Sequence, residues 1–89
     1  GVGQAFYRLG DLEAAEEYLN KAVDLCHRTG VRQNMDKMLV YQGMIALRKQ
    51  DKDLADDLFK RAKRLAERFY EPGIFKLLNE FEEIRKGKV

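Results

Sequence analysis

An all-α fold, a stack of antiparallel helix pairs closed by a C-terminal capping helix, is what this sequence predicts. Three observations carry the prediction. Residues 3–25 line up with residues 43–65 at a constant offset of 40, which pairs Gly3 with Gly43, Arg8 with Arg48, Asp11 with Asp51, Ala15 with Ala55, Ala22 with Ala62 and Leu25 with Leu65. A period in this range marks stacked supersecondary units, none of which buries its apolar face alone. Apolar residues recur every three or four positions rather than every two, the helical spacing. Pro72 is the single proline, so long helices run uninterrupted up to it and no strand is expected.

Taken in order, the first helix is expected to include Gly1 and to end at the Gly10-Asp11 turn. The second covers 11 to about 28, with Leu12, Ala15, Leu19, Ala22 and Cys26 as its apolar stripe and Gly30 as its stop. The third covers about 33 to 50, with Met38, Tyr41, Ile45 and Leu47 among its apolar positions. Asp51 to Asp53 restart a helix that continues to about Tyr70, with Leu54, Ala55, Leu58, Phe59, Ala62, Leu65, Ala66 and Phe69 on its apolar face. Glu71-Pro72-Gly73 ends it, because proline lacks the N–H donor and glycine frees the turn. A last helix starts near Ile74 and is one-sided, Ile74, Leu77, Leu78, Phe81 and Ile84 against Lys76, Asn79, Glu80, Glu82 and Glu83. The tail, Arg85-Lys86-Gly87-Lys88-Val89, is expected to fray.

The Gly-Ala-Ala spacing carries a family resemblance. Gly3, Ala15, Ala22 and Gly43, Ala55, Ala62 place a small residue in the first helix of each pair and two alanines in the second, with Leu19 and Phe59 between those alanines. This pattern resembles the tetratricopeptide repeat. Gly10-Asp11 is similar to the family's tight inter-helix turn. Gln50 replaces the turn glycine in the second copy, the proline that usually closes a repeat is missing from both, and the period of 40 exceeds the commoner value of about 34. The resemblance implies one domain over 1–89, divided into a partial first repeat (1–30), a second repeat (31–71) and a capping helix with tail (72–89). The chain opens mid-unit, so an upstream portion is expected and the open edge of the stack is the N-terminal one.

Composition narrows the function classes. The 89 residues are 45% hydrophobic and 36% charged, within the globular range. Seventeen basic against fifteen acidic side chains leave a net charge of +2, too balanced to announce a nucleic-acid or membrane protein. Cys26 is the lone cysteine, which excludes an internal disulfide and suits a reducing compartment, so the cytoplasm is the expected location. No leader pattern or long apolar run is present. The basic run at 60–64 with Arg68 invites a phosphate-binding reading, but Asp56 and Asp57 stand four residues before Lys60 and Arg61, an ion-pairing order, and the run has no interleaved aromatics. Glu17 is placed to pair with Lys21 in the same way. Nucleic acid is therefore not the expected partner. His27 and Cys26 are adjacent, so their side chains diverge by about 100° around the helix and make a poor catalytic dyad. Cys26 is expected in the core and His27 at the surface. Glu80, Glu82 and Glu83 read as the wet face of the cap. No enzyme activity, cofactor or metal is expected.

What remains is recognition. In the resembled family the first helices of each pair line a concave groove, which implies Gln4, Tyr7 and Arg8, then Lys37, Val40, Tyr41, Met44, Leu47 and Arg48, as partner-binding residues. Arg8, Lys37 and Arg48 would orient an acidic peptide or partner helix, Arg pairing carboxylates through two parallel donors, while Tyr7, Val40, Tyr41, Met44 and Leu47 would be desolvated. Chaperone-binding members of the family clamp a terminal carboxylate with lysines and asparagines; Tyr41 stands where the middle asparagine belongs, against that subtype. The expected role is a noncatalytic protein-interaction module or scaffold. Two further readings are self-association as a homo-oligomer through the incomplete N-terminal edge, and the sensor end of a helical-repeat transcription regulator.

Overall fold

A computed structural model describes residues 2–69 and 71–87 and contains five helices: α1 (Val2–Leu9), α2 (Leu12–Thr29), α3 (Met35–Arg48), α4 (Lys52–Arg68) and α5 (Ile74–Arg85). Among the described residues there is no strand. The all-α helix-pair repeat is therefore the architecture, with α1/α2 and α3/α4 as successive hairpins and α5 closing the stack. The placements expected of Gly1, Tyr70, Lys88 and Val89 lie outside the described residues.

The two hairpin turns are built alike. Asp11 Oδ1 accepts the Ala14 N–H at 3.1 Å, and Asp51 Oδ1 accepts the Leu54 N–H at 3.2 Å, each capping the following helix. The amides of Asp11 and Asp51 donate back to the carbonyls of Phe6 and Ala46 at 2.9 and 2.8 Å. Both turns need a left-handed residue before the aspartate: Gly10 has φ 87° and Gln50, its replacement, φ 65°. A side chain in that conformation costs roughly 1–2 kcal/mol, part of which glycine gives back through its looser unfolded state. Gln50→Gly is expected to stabilise the fold by about 0.5–1 kcal/mol. The gain should raise the urea midpoint at unchanged slope; an unchanged or lower midpoint would show that Gln50 is not strained.

Gly30, at φ 76°, ends α2 and donates to the Cys26 carbonyl, as its position predicts. The core unites all five helices. Ala15, Ala55 and Ala62 are fully enclosed, whereas Ala22 is half-buried. Gly3 and Gly43 mark close crossings: a Cβ on Gly3 would lie 2.8 Å from Leu19 Cγ, and one on Gly43 2.9 Å from Phe81 Cε2. Phe81 also stacks on Phe59, centroids 4.4 Å apart, so the ring wedges α5 between the two helices of the second pair.

Several expected core positions differ. Leu54 and Phe69 are about half exposed, at 48% and 46%. Leu54 sits in the first turn of α4, on the rim of a depression between α2, α3 and α4, and Phe69 lies at the C-cap beyond the last turn. Val23 is buried on α2 beside Cys26, and on α3 the interior also takes Met35, Leu39 and Ala46, while Met38 and Leu47 are only partly buried. His27 is exposed.

Candidate functional site

The site grows from the three helices on one side of the stack. α3 packs against α1 and α5 as well as against α2 and α4, so α1, α3 and α5 lie side by side, and the surface they share holds an open cleft of about 250 Å³. Gln4 and Arg8 come from α1, Lys37 and Tyr41 from α3, and Lys76, Leu77 and Glu80 from α5, with Gly73 at one end. Positions 4 and 8, 37 and 41, and 76 and 80 are each one helical turn apart, which is why each helix contributes a pair to the same face. A second depression beside it is lined by Tyr7, Arg8, Arg48, Glu80 and Ile84, among others.

Arg8 is the centre of this surface. Its guanidinium donates to both oxygens of Glu80, at 2.5 and 3.0 Å, and to Tyr41 Oη at 3.2 Å. The Tyr7 and Tyr41 rings lie 5.6 and 5.5 Å from its central carbon, and the rings themselves meet edge to face. Hydrogen bonding to Glu80 raises the Arg8 pKa above its already high value, against a smaller opposing effect of burial. The same bond holds the Glu80 carboxyl below the usual carboxylate range, with Lys76 and Arg48 adding attraction from farther away. Both side chains remain partly open to solvent, at 46% for Arg8 and 32% for Glu80.

Next to Lys37 lies a buried acid. Asp36 is 2% exposed; its Oδ1 accepts the Lys37 N–H at 2.8 Å, and its Oδ2 has no hydrogen-bond partner. Burial pushes its pKa up, and the negative charge of Glu71 pushes the same way. The Tyr7 hydroxyl is likewise buried without a partner.

Of the nine residues expected to face a partner, the structure gathers Gln4, Arg8, Lys37 and Tyr41 in the cleft and places Arg48 beside it. Val40 and Met44 are fully enclosed, at 0% exposure, and Tyr7 and most of Tyr41 are buried. Leu47 is partly buried against the core. The apolar contact expected of Val40 and Met44 with a partner is made inside the protein, because their side of α3 is packed within the bundle, where α3 meets α1, α2, α4 and α5. Lys76 and Glu80 were missed. Glu80 is not a freely solvated cap residue; partly exposed, it closes on Arg8 across the cleft, and Glu82 and Glu83 are likewise half-buried. No spacing in the sequence links residues 8 and 80, which are joined only by tertiary packing.

The basic run behaves as a solvated face, but neither of the two ion pairs expected within α4, Asp56–Lys60 and Asp57–Arg61, forms. Lys60, Lys63 and Arg64 are exposed and Arg61 is half-buried. Asp56 pairs not with Lys60 but with Arg85 of α5, at 3.0 Å. The expected Glu17–Lys21 pair forms at 3.0 Å.

The tetratricopeptide repeat family model matches residues 2–26, the stretch that spans α1 and most of α2. This supports the resemblance carried by the Gly-Ala-Ala spacing, and a repeat of this kind implies a protein-interaction module in general. Comparison with curated proteins and with solved structures returned no match. Among the described residues no helix is long and apolar enough to cross a membrane.

Proposed function

We propose that residues 1–89 form a single noncatalytic interaction module that takes an acidic segment of a partner protein across the α1–α3–α5 face. The observation that carries this reading is the charge of the cleft: Arg8, Lys37 and Lys76 line it, with Glu80 as the one carboxylate, and Arg48 stands alongside. With Val40 and Met44 enclosed, recognition rests on cations more than on apolar burial. Leu77 and the Tyr41 edge give a small apolar floor, and Arg8 and Arg48 set orientation by bidentate pairing with carboxylates.

The test uses a fluorescein-labelled Leu/Glu helical peptide and a matched Leu/Lys peptide, read by fluorescence anisotropy. The protein should bind the first and not the second. Arg8→Glu with Arg48→Glu is expected to weaken binding about tenfold, the equivalent of roughly 1.4 kcal/mol, with the helical circular dichroism unchanged. Equal affinity in the double variant would remove the assignment of the cleft.

A second reading is self-association through the N-terminal edge, favoured by the exposure of Val2, Leu9, Tyr18 and Leu25 on α1 and α2, at 55%, 81%, 48% and 54%. Sedimentation over a concentration series separates the two: a chain monomeric throughout argues against assembly.

A further inference from the structure

We infer that Glu80 is an internal stand-in for the partner's carboxylate: it occupies the Arg8 donors in the free protein, and an incoming acidic side chain must displace it. The inference rests on the reading of the cleft as an acidic-segment site and names both the group recognised and the residue that competes for it. Arg8 presents its donors to two oxygens of one carboxylate, at 2.5 and 3.0 Å, the bidentate geometry expected for a bound aspartate or glutamate. The guanidinium is held from behind, with the Tyr7 and Tyr41 rings close by and one donor on Tyr41 Oη. A carboxylate leaving this site therefore leaves an organised cation.

Glu80 is suited to leave. It reaches Arg8 from α5 across 72 positions of chain, and the pair is partly solvated, so separating it costs little, as for exposed ion pairs generally. Released Glu80 has Lys76 one turn away on its own helix and Arg48 on α3, the two cations whose charges already act on it. Exchange of one carboxylate for another conserves the charge at Arg8, which makes the site selective for acidic groups over neutral ones. The competition also lowers apparent affinity by the fraction of molecules in which Arg8 is free.

Glu80→Gln tests this with the labelled Leu/Glu peptide. Binding should tighten about two- to fivefold, the factor that corresponds to releasing an exposed ion pair. Glu82→Gln carries the same charge change about 200° around α5 and should leave affinity nearly unaltered. In the wild type, the Glu80 side-chain carboxyl ¹³C resonance should move on peptide addition toward its position in Arg8→Gln. Equal tightening by Glu80→Gln and Glu82→Gln, or a Glu80 resonance unmoved in the bound state, would overturn the displacement while leaving the cleft as the binding site. Failure of wild type and Glu80→Gln alike to bind the peptide would remove the cleft reading and the displacement with it.

Discussion

Phe81→Ala is expected to lower stability by about 3–5 kcal/mol, the loss typical of a large aromatic removed from a closed interior. The ring is 1% exposed, stacks on Phe59 and lies against the backbone of Gly43. Its removal opens space where α3, α4 and α5 meet around Gly43 and Phe59, a cavity whose cost depends on how far those helices can close over it. Domains of this size have roughly 5–15 kcal/mol in total, so the variant should be close to unfolding at room temperature. Phe81→Leu keeps most of the volume and should lose visibly less. Urea denaturation followed by circular dichroism gives both values, and a loss below about 1 kcal/mol for alanine would mean that α5 is not anchored by this ring.

Gly43→Val should destabilise by about 2–3 kcal/mol, through overpacking rather than a cavity. A Cβ there meets the Phe81 ring at 2.9 Å, and the Ala55 carbonyl oxygen at 3.5 Å closes another side. Any retreat of the ring disturbs Phe59, which lies flat against it. Gly3, one repeat earlier, gives the control. Its added Cβ meets Leu19 Cγ at 2.8 Å, and because α1 packs mainly on α2 alone it can move off as a unit, which α3 cannot. Gly3→Val should therefore cost less than Gly43→Val, and equal losses at the two positions would show that Phe81 does not set the difference. The two glycines are equivalent by sequence and unequal by surroundings.

That contrast defines what the sequence made legible. Helix limits were readable because their causes are local: Asp11 and Asp51 cap, Gly30 terminates, and Pro72-Gly73 separates α4 from α5. The enclosed alanines at 15, 55 and 62 were readable from repetition. The neighbour of α3 was not. A helix outside the repeating pattern announces its own apolar face but not the surface it will meet, so Val40 and Met44 looked available and Glu80 looked solvated. The burial of Asp36 was equally silent, because an acid in the first turn of a helix is usually a surface residue favoured by the helix dipole. Lys37 and Tyr41 share a face because they stand one turn apart on α3; Arg8, Lys76 and Glu80 meet them through long-range packing alone.

The central position of α3 changes how the molecule comes apart. Ideal solenoids behave as rows of units coupled only to their nearest neighbours, and can melt from one end. Here a single helix touches each of the other four, so loss of α3 removes every interface except those of α1 with α2 and of α4 with α5, and the chain is a hub with spokes rather than a row. Amide hydrogens of α3 should accordingly exchange only through global opening, while those of α1, tied mainly to α2, exchange through the smallest local excursions.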